Sequence, residues 1–251
     1  MTVIEHLSEL RHRLFVSALA YVVGSIVAYL LYSHVLHILK LPLDSGGRIA
    51  GIKVELSVQG VTTAFLVRIK TSMFAGLIIA LPVILWQLWR FITPGLAAGE
   101  KRYAVPFLLG SLSLFALGAV VAYFILPEAI GFLLHFARGF RPVIFIDQYV
   151  GFVAFMVLAF GLTFEIPLLL VLLAAARIIS AAWLSRYRKH AIVLAFIIGA
   201  IATPSQDPYS NTLMAVPLYV MYEIAIVVIR MMEKGRRARG DQGEVTQTVE
   251  E

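Results

Sequence analysis

The stretch Val150–Ala176, VGFVAFMVLAFGLTFEIPLLLVLLAAA, decides the fold class. It holds one charged residue, Glu165, in 27 positions. A helix of roughly 20 apolar residues crosses the ~30 Å hydrocarbon layer of a bilayer, and this run is longer than that. Five further runs flank it: Leu14–Tyr32, Met73–Phe91, Pro106–Leu126, Ala191–Ala202 and Thr212–Ile229. The expected fold is all-α, a polytopic membrane protein of six transmembrane helices. Composition agrees, with 60% hydrophobic and 14% charged residues, where globular domains hold about 45–50% and about 25%. Residues 1–229 read as one membrane domain. Residues 230–251, which include GRRARGDQGE, read as a charged, disordered tail.

Two stretches depart from simple spans. Ser33–Ser72 holds LPLDSGG, a turn-rich sequence, followed by a mixed amphipathic stretch through Lys70. The fifth run is only twelve residues, roughly 18 Å of helix at ~1.5 Å per residue. Either the bilayer thins there, or the run and its successor form a short hairpin packed on other helices, or its ends lie further out.

The net charge of +6 would suggest nucleic acid in a soluble protein. Here the cations cluster between apolar runs, so topology accounts for them. Fourteen lysines and arginines fall on the side of the N-terminus, the second and fourth loops and the tail, against seven on the other. The positive-inside rule then puts both termini in the cytoplasm. The chain has no cysteine, which excludes disulfides and thiolate metal sites. Glu5 and Glu9 stand where the basic region of a cleavable signal peptide would be, so none is expected.

Candidate functional residues follow from charges in unusual places. In TVIEHLSELRHRL, Thr2 and Glu5 have capping-box spacing; Leu7, Leu10 and Leu14 share one helix face and Glu5, Glu9 and Arg13 another. This is an amphipathic prelude to the first crossing, whose charged face can also be plain i, i+4 pairing. The second inner loop carries Glu100 after the Pro94–Gly95 turn. Glu9 and Glu100 are acids on a mostly basic side. If folding brings them together, they form an acceptor for guanidinium groups. Glu165 lies inside an apolar run, at a cost of about 2.5–3.5 kcal/mol on insertion scales, so it should face a polar cavity, pair or be protonated. Pro167 removes a donor and frees the Thr163 carbonyl beside it. Glu223 stands in the sixth run near its inner end. The histidines show no metal-ligand spacing, and no nucleotide loop or hydrolase motif is present; no metal or cofactor is expected.

Four segments, taken in order, resemble the TatC family, the multi-spanning signal-recognition subunit of the twin-arginine protein translocase. They are HLSELRHRL (His6–Leu14), FITPGLAAGEKR (Phe91–Arg102), FGLTFEIP (Phe160–Pro167) and TPSQDPYSNTLMAVPLYVMYEI (Thr203–Ile224). LPVILWQLW and KLPLD look like the same family. The resemblance covers the chain apart from its tail. It implies a concave, glove-like bundle in the inner cell membrane that binds twin-arginine signal peptides of folded precursors and assembles with single-span TatA/TatB-type subunits. It also implies self-association in a larger complex, and export driven by the proton-motive force without nucleotide. By resemblance, Glu9 and Glu100 receive the arginine pair, with Arg11 and Phe91 nearby. Glu165 matches the intramembrane acid, Pro42 an outer-loop proline and Asp207 the acid of an outer turn. Thr203 and Asn211 match a partner-binding patch in which relatives carry Gln where Asn211 stands. A proton-coupled small-solute transporter is the alternative, but it calls for internal repeats and paired broken helices that the sequence does not show. A membrane-embedded enzyme would need a nucleophile or metal near Glu165. The expected role is recognition and assembly, not catalysis.

Overall fold

The computed structural model describes residues 3–92, 104–140, 142–202 and 208–247. Among these, five helical stretches are long and apolar enough to cross a bilayer: Leu7–Leu30, Thr63–Phe91, Pro106–His135, Ile146–Ala175 and Pro208–Gly235. The chain divides into two compact units, Met1–Leu162 and Thr163–Glu251.

The first unit contains α1 (Val3–Leu30), α2 (Tyr32–Ala50), β1 (Leu56–Ser57), α3 (Thr63–Ile92), α4 (Ala104–His135), β2 (Ile144–Phe145) and nearly all of α5 (Ile146–Phe164). With lipid as apolar as leucine, helices in a bilayer associate where small residues let backbones approach. The pairing of α1 with α3 is of this kind. A Cβ placed on Gly24 would stand 2.6 Å from the Gly76 carbonyl oxygen, and one on Gly76 would strike the Ser25 backbone. Further along, the Arg68 guanidinium lies 4.3 Å from the Tyr29 ring and 5.2 Å from the Tyr32 ring. Eight residues forward from Gly24 thus correspond to eight back from Gly76, so α1 and α3 run antiparallel.

The segment expected to turn at LPLDSGG is instead helical: all of it lies within α2, and the turn comes at Gly51, in the left-handed region at φ 70°. Tertiary packing overrides the local turn preference. Gly46 admits the Ile130 side chain and Pro127 carbonyl of α4, and Gly131 admits Ile49. Pro42 stays inside the helix although it cannot donate to the Ile38 carbonyl. The Tyr123 hydroxyl of α4 donates to that carbonyl at 2.8 Å, and the Tyr149 hydroxyl of α5 donates to the next one, Leu39, at 2.6 Å. Arg138 donates to the Ala50 carbonyl at 3.2 Å, satisfying the far end of α2. The two short strands pair in parallel, Leu56 with Ile144 and Ser57 with Phe145. They are the one departure from all-α structure among the described residues. The amphipathic stretch after β1 joins α3, which begins ten residues before the apolar run at Met73.

The second unit contains α6 (Ile166–Ala175), α7 (Ala181–Arg186), α8 (Arg188–Ala202) and α9 (Pro208–Gln247). Ser180 caps α7 by accepting from the Trp183 N–H at 3.2 Å. The fifth run remains short: α8 gains Arg188, Lys189 and His190 but reaches only 15 residues, roughly 22 Å. Ala195 of α8 packs with Ala215 and Leu218 of α9, joined by Ile166 of α6. Ala174, Ala181 and Leu184 pack with Ile226 and Ile229. Past Arg230, where composition predicts disorder, the backbone continues as helix to Gln247. Lysine, arginine, glutamate and methionine are good helix formers, and Met231–Lys234 simply prolong the preceding turns.

Candidate functional site

The antiparallel register of α1 and α3 locates the first group of residues. Glu9 precedes Gly24 by fifteen residues and Phe91 follows Gly76 by fifteen. The crossing therefore brings Glu9 and Phe91 level at one end of the pair, and the chain enters the Glu100 loop directly from that end. Phe91 is half-buried in the last turn of α3 and Arg11 is exposed. Trp89, one turn before the end of α3, packs on Phe107 of α4 with ring centroids 5.0 Å apart, which holds the two flanks of the loop together. Glu100 itself lies outside the described residues.

Glu9 makes the pairing its helical spacing offers. Arg13, one turn on, donates to Glu9 Oε1 from Nε at 3.1 Å and from Nη2 of the same guanidinium. Both side chains are largely covered, Arg13 (12% exposed) more so than Glu9 (22% exposed). A carboxylate in this setting accepts a planar cation.

Pro42 is buried within α2, at the opposite end of α1 from Glu9, so the expected loop proline is a helical one. Tyr32 and Arg68 mark that same end; burial raises the Tyr32 pKa, and the facing Arg68 cation partly offsets the rise.

In the second unit, Glu165 stands at the junction between α5 and α6. Its φ of −76° and ψ of −17° are helical, so the chain continues in helical form through the break that Pro167 makes in the hydrogen-bond ladder. Glu165 is half-buried, between buried Phe164 and half-buried Ile166, which joins the α8–α9 core. Ala175 lies ten residues on, about 15 Å along the helix, which keeps the acid well inside the candidate span.

Asn211, in the first turn of α9, is half-buried. A Cβ on Gly199 of α8 would collide with its amide oxygen, so the two helices meet closely there. Among the described residues that oxygen has no hydrogen-bond donor. Thr203 and Asp207 lie outside the described residues. At the other end of this hairpin, Arg188 of α8 pairs with Glu223 of α9 at 2.8 Å, and Tyr219 donates to the same carboxylate at 2.7 Å. Arg230 donates to Ser185 at 2.6 Å, and Glu233 accepts the Ala181 N–H at 3.0 Å. The sequence marked Glu223 as an acid near a span's end but did not supply its partner. The signal was present: a run of cations opens the preceding helix, and antiparallel pairing of two short-linked helices sets them at the same depth. No group of His, Asp or Glu among the described residues could hold a metal ion.

The model of the family described as Sec-independent protein translocase protein (TatC) matches residues 5–217. The chain belongs to the TatC family. The TatC of Aquifex aeolicus is 43% identical over 243 residues, covering 94% of this chain and 98% of the relative. That of Campylobacter jejuni is 40% identical over 228 residues, with 90% and 92% covered. A crystal structure described as the twin arginine translocase receptor TatC superposes with a TM-score of 0.79 at 43% identity, covering 90% of this chain and 98% of that one. A second, of the receptor in detergent, gives the same score. As a TatC this chain is a multi-pass protein of the inner membrane and a core subunit in twin-arginine translocation, a receptor and scaffold that catalyses no reaction.

Proposed function

We propose that the end of α1–α3 bearing Glu9, Arg11 and Phe91, completed by Glu100, is the docking site for the arginine pair of a signal peptide. The observation that carries this reading is the register of α1 on α3, which sets Glu9 level with the start of the Glu100 loop. The arginine fork pairs with a carboxylate in a way the lysine ammonium cannot reproduce. Charge-assisted hydrogen bonds contribute roughly 1.5–3 kcal/mol each, less where water has access.

In the same reading both termini and this site face the cytoplasm, as the distribution of cations supports. The six helices form a concave, glove-like bundle. Asn211 and Thr203 make a patch for single-span TatA/TatB-type partners, which the close Gly199–Asn211 contact and the amide oxygen beside it support. Pro42 and Asp207 belong to the outer side, Glu165 serves as an intramembrane polar contact during transport, and several copies assemble for export driven by the proton-motive force.

The test is the affinity of a twin-arginine peptide for the detergent-solubilised protein. Glu9→Gln and Glu100→Gln should each weaken binding about tenfold, since ~1.4 kcal/mol is one decade. A twin-lysine peptide should bind wild type more weakly and lose little further in the double mutant. Two single mutants that bind like wild type would refute the site.

A further inference from the structure

The docking reading leaves one contact unused: the carboxylate it assigns to the peptide already holds a guanidinium. We infer that Arg13 occupies Glu9 as an internal competitor, so that an arriving signal arginine binds by displacing a residue of the receptor's own chain. This inference rests on the proposed docking site and adds to it a device that sets how tightly a peptide must bind to be accepted.

The geometry supports exchange over simple scaffolding. Arg13 presents Nε and Nη2 to one oxygen, Glu9 Oε1, where the full fork of an external guanidinium would engage both carboxylate oxygens. The resident cation comes from the next turn of the same helix, so holding it requires no rearrangement of backbone. Its partner carboxylate is only 22% exposed, so few directions of approach remain once Arg13 is in place. An external fork that engages both carboxylate oxygens exceeds a resident pair that engages one. Competition of this kind lowers the apparent affinity of every cationic ligand by one common factor, the fraction of receptor with Glu9 released. It does not change the ratio between arginine and lysine peptides. It moves both down together, and the weaker lysine peptide then falls out of reach at a given concentration.

The experiment extends the peptide grid to Arg13. Arg13→Gln should tighten binding of both the twin-arginine and the twin-lysine peptide by a similar factor, about two- to tenfold. Arg13→Lys, which keeps the charge but loses the fork, should fall between wild type and Arg13→Gln. In a Glu9→Gln background, Arg13→Gln should change nothing, because there is no longer a carboxylate to release. If Arg13→Gln binds as wild type or more weakly while Glu9→Gln still weakens binding, Arg13 supports the site structurally and the competitor is refuted, though the docking site stands. An equal gain in both backgrounds would mark a bulk charge effect and also refute it. If Glu9→Gln binds like wild type, the docking site itself fails. Should Arg13→Gln not insert, Arg13→Lys in the two backgrounds carries the same comparison.

Discussion

Pro42 in α2 and Pro167 in α6 each remove one donor from a helical ladder, and the two places meet the loss differently. At Pro42 the orphaned Ile38 carbonyl is taken by Tyr123, and Leu39 beside it by Tyr149, from residues 85 and 110 positions away. The helix runs on to Ala50. At Pro167 the orphaned carbonyl is that of Thr163, the ladder divides at Glu165, and an acid stands beside the break. The boundary between the two compact units falls there too, after Leu162. A proline in a helix is therefore no fixed quantity. Hydroxyls from neighbouring helices make Pro42 a braced point, while Pro167 marks a break in the ladder with an acid two residues before it.

The largest effect that tests this contrast is at the break. Glu165→Leu should insert normally yet lower export of a twin-arginine reporter about tenfold or more, the scale of one lost polar contact away from water. Glu165→Gln should lose less. Normal export by Glu165→Leu, at wild-type levels in the membrane fraction, would show that the acid at the break has no role. Next comes the brace. Tyr149→Phe should destabilise the solubilised protein by about 1–1.5 kcal/mol, because the hydrogen bond that its buried hydroxyl donates to the Leu39 carbonyl would be lost. Thermal unfolding in detergent reads this directly. Tyr123→Phe should cost about 0.5–1 kcal/mol in the native background and nearly nothing in Pro42→Ala, where the restored N–H can take the Ile38 carbonyl. Equal costs in both backgrounds would break the link between tyrosine and proline. The smallest change is expected for Pro167→Ala, within ~0.5 kcal/mol. Pro167 sits in the first turn of α6, where a missing donor matters least. A large stabilisation there would mean that the break is strained and erase the distinction.

How much of this was legible beforehand depended on what kind of force acted. Five of the six apolar runs were readable as spans because each must satisfy its own backbone in lipid, which writes its length into the sequence; the fifth run, as α8, stays at 15 residues. Glu165 was readable for the same reason, as an exception to that demand. α2 was not. Pro42, Asp44, Gly46 and Gly47 are locally turn-forming residues, and what makes them helical is Ile130 and Tyr123 on α4 and Tyr149 on α5, none of which a local pattern can supply. The Arg188–Glu223 pair was missed on similar grounds: each residue was visible, but their meeting required the register of α8 on α9. Near the start of α1 Glu9 could be singled out from spacing, and its pairing with Arg13 was one of the two outcomes that spacing allowed.

The tyrosine brace also has a consequence for how the chain is made. The hydroxyls that hold α2 arrive 85 and 110 residues after the carbonyls they serve, and Arg138 reaches Ala50 across 88. β2, which pairs with β1, is synthesised between the second and third of these contributors. Synthesis is sequential, so α2 must wait with its proline-orphaned carbonyl solvated while α3 and α4 are inserted. Closure becomes possible only once Tyr149 has emerged, and it then draws on α4, β2 and the start of α5 together. Completion of this cap is thus a late event in biogenesis, one that reports that the intervening helices have taken their places.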